Sequence, residues 1–232
     1  MPNRFNNIIK SIIKASGGSL RGGDLEKFTE SINHSFIFDP YNHWLGVRIL
    51  KNPLDLMVLQ DIMFEKKPDT IIECGTMFGG SAYFMACLMD LMNIDGKIIT
   101  IDNQAHPIQI NGKIKIIVIN SDAYHAPVHP KIKFIHSDCL TAQLPELGDK
   151  VMVVLDCDHS AEHVYAELEK FSGMVTLGQY IIVEDTDAPD KSNGPAAAVE
   201  EFLRKNKNFK IDKNREKYGI SSNPGGYLLK IS

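Results

Sequence analysis

The sequence lacks any C-x-x-C pair, has a single tryptophan, and contains no apolar run of membrane-spanning length. Stable membrane insertion is therefore not expected. Its four cysteines, Cys74, Cys87, Cys139 and Cys157, are scattered, and two of them end predicted strands. That pattern fits buried thiols in a reducing, cytoplasmic compartment better than disulfides. An excess of positive charge is also missing. Lysine and arginine number 25 against 29 acids, giving a formal net charge of −4 and a pI near 6.1. There is no electrostatic case for a nucleic-acid partner. No internal repeat or low-complexity tract appears. What remains is a chain of 232 residues, 44% hydrophobic and 23% charged. It is long enough to bury one substantial core, with an N-terminal addition.

The organising stretch is 70–82, T-I-I-E-C-G-T-M-F-G-G-S-A. β-Branched Thr70, Ile71 and Ile72 predict a short buried strand, Gly75, Gly79 and Gly80 a turn, and Ser81 the start of an apolar helix. Strand, glycine turn and helix form the first unit of a doubly wound sheet, which binds small ligands at strand C-terminal ends. The spacing G-x-x-x-G-G is not the dinucleotide fingerprint, and Glu73 at the strand end would repel a pyrophosphate. A cationic nucleoside such as S-adenosylmethionine suits it better. Residues 97–101 predict the next strand. It ends in Asp102, 102 − 75 = 27 positions beyond Gly75, where an acid can accept hydrogen bonds from ribose hydroxyls.

Elsewhere the pattern alternates. Phe5, Ile8, Ile9, Ile12 and Ile13 make an amphipathic helix, best explained by docking on the chain's own core or a sister subunit, hence a homo-oligomer. A second helix is expected over 24–32. Trp44 and His43 lie in a turn-rich loop, where Trp44 is as well explained by packing as by substrate contact. Pro53 suits the first turn of a helix over 54–65. Strands are expected over 113–119, 131–135, 151–155, 178–183, 209–211 and 225–231, and helices over 161–171, capped by Ser160, and 196–205. His125 and His129 show no ligand spacing and read as surface residues. The whole predicts an α/β sheet of roughly seven strands closing with a hairpin.

Two of these strands end in paired acids, Asp156 with Asp158 and Glu184 with Asp185. Four carboxylates converging at one sheet edge repel one another unless a cation offsets them. Oxygen-only ligands suit Mg²⁺, with Mn²⁺ or Ca²⁺ as alternatives.

Several segments together resemble the cephalosporin hydroxylase/rhamnosyl O-methyltransferase family, a branch of the class I S-adenosylmethionine-dependent methyltransferases. They are W-L-G-V at Trp44, K-N-P-L-D-L at Lys51, I-I-E-C-G-T-M-F-G-G-S-A-Y-F at Ile71, V-L-D-C-D-H-S at Val154, I-V-E-D-T at Ile182, A-V-E-E-F-L at Ala198, and R-E-K-Y with N-P-G-G-Y-L near the end. The resemblance implies a Rossmann-like class I methyltransferase fold over residues 53–232, after a helical extension and loop over 1–52. It implies methyl transfer to the hydroxyl of a small acceptor, a sugar or natural product. Glu73, Gly75, Thr76, Gly79, Ser81, Asp102 and Asp156 would line the cofactor, with Ser137 and Asp138 near the adenine. The metal ligands would be Asp156, Glu184 and Asp185, with Asp158 a rival for the first position. His159 stands where relatives place a basic residue. It is the expected general base, since imidazole titrates nearest to neutral pH. Relative to the family, residues 108–129 look long and the loop after Thr186 looks short. Two other classes are weighed: a catalytically inactive S-adenosylmethionine-binding or assembly subunit, and a non-haem iron hydroxylase using Asp158, His159 and His163.

Overall fold

A computed structural model describes residues 42–103, 105–110, 113–118, 129–188, 190 and 192–232. The expected helices over 5–13 and 24–32, and His125, lie outside them. The chain enters through a small hairpin, β1 (His43–Trp44) and β2 (Val47–Arg48), and then forms helix α1 (Pro53–Lys66). Asn52 starts α1 by accepting from the Leu54 amide, while Pro53 occupies a first-turn position where no amide is needed.

Next come β3 (Thr70–Cys74), α2 (Gly80–Leu91), β4 (Lys97–Asp102), β5 (Ala105–Ile110), β6 (Lys113–Val118) and β7 (Ile132–His136). The remainder is β8 (Val151–Leu155), α3 (Ala161–Ser172), β9 (Tyr180–Val183), α4 (Pro195–Lys205), β10 (Phe209–Ile211) and β11 (Tyr227–Lys230). Seven strands form one sheet in the order β10-β11-β9-β8-β3-β4-β7. The pairs β3/β4, β3/β8, β4/β7 and β8/β9 are parallel, and β11 runs antiparallel between β9 and β10. This is the expected α/β fold, down to the closing hairpin. The extra run near residue 113 is a strand, and it pairs antiparallel with β5 outside the main sheet.

The core lies on both sheet faces because the central strands β3 and β8 are buried along their whole length. Ile72, Cys74, Val153 and Leu155 pack toward Val164, Leu168 and Phe171 of α3 and Phe202 of α4. Ile71, Met152 and Val154 pack toward Val58, Ile62 and Met63 of α1 and Met85 and Met89 of α2. Alternate residues of each strand therefore serve opposite faces, as a pleated strand requires.

Strand order reverses between β3 and β8: the chain moves outward through β4 and β7, then returns to β8 and β9. That reversal opens a crevice at the carboxyl ends of the parallel strands. The turn after β3 fits there through two glycines. Gly75 sits at φ +92°, and a Cβ on it would lie 1.9 Å from the Asp156 carbonyl oxygen. A Cβ on Gly80 would lie 2.2 Å from the Arg48 carbonyl oxygen. Trp44 packs edge-on against Phe84 of α2 at 4.8 Å, so the entry hairpin is part of the same packed unit.

Candidate active site

On one side of the crevice the glycine turn is tied to β4. Asp102 is buried, and its Oδ2 accepts from the Thr76 and Met77 amides at 3.0 and 3.1 Å. Beneath the turn, Glu73 is fully buried. Its two carboxylate oxygens accept from the hydroxyls of Ser81 and Thr100, and Thr100 also contacts the Thr76 hydroxyl at 2.7 Å. Burial pushes the Glu73 carboxyl up to about 7, against the opposing pull of Lys51. Glu73 thus supports the turn from below rather than facing open crevice. The loop after β7 approaches the same corner: the Ser137 amide donates to the Asp102 carbonyl, and Asn103 donates to Asp138 Oδ2 at 3.3 Å.

The other side carries the acids. Asp156 follows β8, and Glu184 and Asp185 follow β9, so parallel pairing of β8 with β9 brings the three to one place. Asp185 holds φ 52°, an uncommon left-handed conformation for a side-chain-bearing residue, with its amide donating to Asn223 Oδ1. His159 reaches back from the turn before α3. Its Nε2 lies 3.5 Å from Asp156 Oδ1 and 3.4 Å from Asp185 Oδ2. Asp158 is placed elsewhere: its Oδ1 accepts from the Ser160 amide at 2.7 Å in the turn that starts α3. His163 turns away from the acids toward Cys157 and Glu167. His129 is partly buried and contacts Asp90 at 3.1 Å.

Sequence reasoning missed the residue at the centre of this group. Lys51 is 7% exposed, and its Nζ donates to Asp156 Oδ2 at 2.5 Å and to Glu184 Oε2. Three hydrogen bonds hold its segment in place. The Lys51 carbonyl accepts from Asn42 Nδ2, and four residues on, Asp55 is pinned by the Ser222 amide and the Tyr227 hydroxyl. The one signal was indirect: converging acid pairs demand a cation, and a lysine stands just before the α1 cap.

Charge sets the titration of the group. Burial alone would lower the Lys51 pKa, but Asp156 and Glu184 hold it far above the ordinary lysine value. Burial also works against an ionised Asp156, yet Lys51 and His159 keep its carboxyl below the usual range. Burial pushes Glu184 up to about 8 and Asp185 up to about 6, and the Asp156 charge adds to both. His159 rises to about 9, first through its hydrogen bond to Asp156 and then through the charges of Asp156 and Asp185. Near neutral pH Glu184 is therefore largely protonated, and the charges of Asp156 and Asp185 are about balanced by Lys51 and His159. The donor set of the acids is oxygen-rich and fits a hard divalent cation such as Mg²⁺.

The sequence profile of the rhamnosyl O-methyltransferase/CmcI family matches residues 38–231. The rhamnosyl O-methyltransferase of Mycobacterium leprae is 29% identical over 203 residues, covering 81% of this chain and 82% of that protein. That of Mycobacterium tuberculosis is 28% identical over 197 residues, covering 81% and 77%. Among solved structures, CmcI with Mg-SAM superposes with a TM-score of 0.60 at 23% identity, covering 84% of this chain and 78% of that one. At that identity the superposition speaks for the fold.

Proposed function

The chain belongs to the rhamnosyl O-methyltransferase/CmcI family and is an S-adenosylmethionine-dependent O-methyltransferase; on that premise we propose that a divalent cation assists its reaction and that its acceptor is a small hydroxylated molecule, a sugar or natural product. The observation that carries this is the meeting of Asp156, Glu184, Asp185 and His159 at the crevice beside the glycine turn. On this reading the transferase domain is 53–232, and the preceding extension, 1–52, supplies Lys51. A cytoplasmic, homo-oligomeric enzyme belongs to the same proposal.

Asp102, Thr76 and the turn around Gly75 and Gly79 line the cofactor side, with Ser137 and Asp138 flanking it. Ligand hydroxyls would compete with the Thr76 and Met77 amides for the Asp102 carboxylate. Asp156, Glu184 and Asp185 would hold the cation. Bound there, it would chelate acceptor oxygens, lower the pKa of the reacting hydroxyl and draw that of His159 down from about 9. Lys51 keeps Asp156 and Glu184 together and supplies fixed positive charge where acceptor oxygens approach. In the reaction the acceptor oxygen forms a bond to the methyl carbon as the carbon–sulfur bond breaks, and the sulfur leaves with the electron pair as a neutral thioether. His159 Nε2 takes the hydroxyl proton, which requires the neutral imidazole.

The test is transfer of labelled methyl from S-adenosylmethionine into a panel of hydroxylated acceptors, with and without exhaustive EDTA treatment. Transfer that EDTA abolishes and Mg²⁺ restores is expected. Full turnover after EDTA would overturn the metal role, and labelling of no acceptor class would overturn the proposed substrate.

A further inference from the structure

Asp156 and Cys157 are consecutive, and they face different chemistry. Asp156 joins the oxygen-rich acid group, while Cys157 turns to the α3 side of the sheet, among soft donors. There its Sγ lies 3.0 Å from Glu167 Oε1 and 3.4 Å from His163 Nε2, and that nitrogen lies 3.8 Å from the same Glu167 oxygen. His163 and Glu167 are one turn apart on α3, the i, i+4 spacing that places two side chains on one helical face. Two further thiols close on the group. Cys74, Cys139 and Glu167 also bring ligand atoms within 4.8 Å of one another. Glu167 thus stands between two sets of donors, Cys157 with His163 and Cys74 with Cys139.

Glu167 is the group that asks for an explanation. It is fully buried, its Oε1 meets the Cys157 thiol and the His163 ring, and its Oε2 has no hydrogen-bond partner. A buried carboxylate with an orphaned oxygen is costly, and a cation bound to it removes the cost. Four-coordinate zinc, with Zn–S near 2.3 Å and Zn–N near 2.0 Å, sets neighbouring ligand atoms roughly 3.3–3.8 Å apart, close to the spacing found here. His163 keeps about a fifth of its side chain exposed (20%), which gives an ion a way in.

We propose that Cys157, His163 and Glu167 form a thiolate-containing site for a borderline divalent metal of the zinc type, with its fourth position left to solvent, separate from the oxygen-rich acid centre. Sulfur and imidazole select such a metal over Mg²⁺. Binding displaces the Cys157 thiol proton to solvent, so affinity rises with pH. An ion there ties the turn carrying Asp156 and His159 to α3. Its role is to hold the acid centre's position.

The experiment titrates the full-length protein, reduced and stripped with chelator, with Co²⁺ and then with Zn²⁺. One equivalent of Co²⁺ should produce a sulfur-to-cobalt charge-transfer band with intense tetrahedral d–d absorption, and Zn²⁺ should bleach both. Cobalt held by the acid centre has no sulfur ligand and gives no such band, so the result stands or falls independently of methyl transfer. Cys157→Ser and His163→Gln should each weaken Co²⁺ binding beyond the ~10–100-fold that changes outside the ligand set cost. Asp185→Asn should leave the band in place. Absence of the sulfur band from the wild-type protein overturns the site, whatever the variants do. So does a band of full strength and unchanged affinity in Cys157→Ser.

Discussion

Replacing Lys51 by methionine keeps the unbranched stem but removes the cation shared by Asp156 and Glu184. Breaking a buried ion pair from one side costs about 3–5 kcal/mol, because the remaining charge is left unpaired. Glu184 is nearly sealed, with 9% of its side chain exposed, whereas Asp156 keeps 23% and can be partly rehydrated. The lower end, about 3 kcal/mol, is therefore expected, or roughly 6–12 °C in Tm for a chain of this size. The loss must depend on pH. Glu184 and Asp185 already titrate at about 8 and about 6, raised by burial, and loss of Lys51 raises both further. A carboxyl whose folded pKa is raised contributes stability that is complete below its unfolded value and lost as pH rises through the folded one. Asp156 is ionised in the wild type even near about pH 5, so part of the deficit is already present there, and it should grow further as Asp185 and then Glu184 ionise in the wild type, above about 6 and about 8. A cation that binds the folded acids should narrow the gap. The assay is thermal unfolding of both proteins across pH, with Mg²⁺ titrated at each point. A deficit that ignores both pH and Mg²⁺ would mean that Lys51 contributes only packing, and the charge argument would fail.

Asp102→Ala should weaken S-adenosylmethionine binding roughly ten- to a hundredfold, the worth of about 1.5–3 kcal/mol of charge-assisted hydrogen bonding, and calorimetry showing equal affinity would refute it. His159→Asn should lower kcat by roughly 10²–10⁴ with cofactor affinity near wild type. Asp156 and Asp185 hold His159 up at about 9 and a bound cation draws it down, so wild-type kcat should climb with pH below that value and the variant should lose this limb; an unchanged kcat would remove His159 from proton transfer. Deleting residues 1–16 should lower the hydrodynamic mass if the apolar face of Phe5, Ile8, Ile9, Ile12 and Ile13 covers a neighbouring subunit, and the same mass would count against that assembly.

The sheet was readable because its central strands carry their own signal. Residues 151–155, V-M-V-V-L, are apolar throughout and form β8 over the expected range. Capping residues marked the helices equally well: Ser160 accepts from the His163 amide at the start of α3, and Pro195 opens α4 after Gly194. β5 was harder. Its sequence, A-H-P-I-Q-I, has proline at the third position and only a short apolar alternation, so the strand that pairs with residues 113–118 carried no local mark.

The site was readable only in part, and the division is physical. Carboxylates at strand ends reveal themselves because repulsion among like charges demands compensation, and topology alone brings the ends of β8 and β9 together. What compensates them leaves no such mark. Lys51 is 105 positions from Asp156 and 133 from Glu184, and a lysine among turn residues looks like any solvated lysine. The soft cluster was hidden for a related reason. Metal sites announce themselves in sequence when one loop supplies paired ligands, whereas Cys74, Cys139 and Cys157 come one each from three segments. Only the parallel register of β3 with β8 sets Cys74 opposite Leu155, two residues before Cys157. The same register places Gly75 against the Asp156 carbonyl. One backbone contact thus fixes the height of the cofactor turn, the acid centre and the thiol group together, so a side chain at Gly75 would disturb all three.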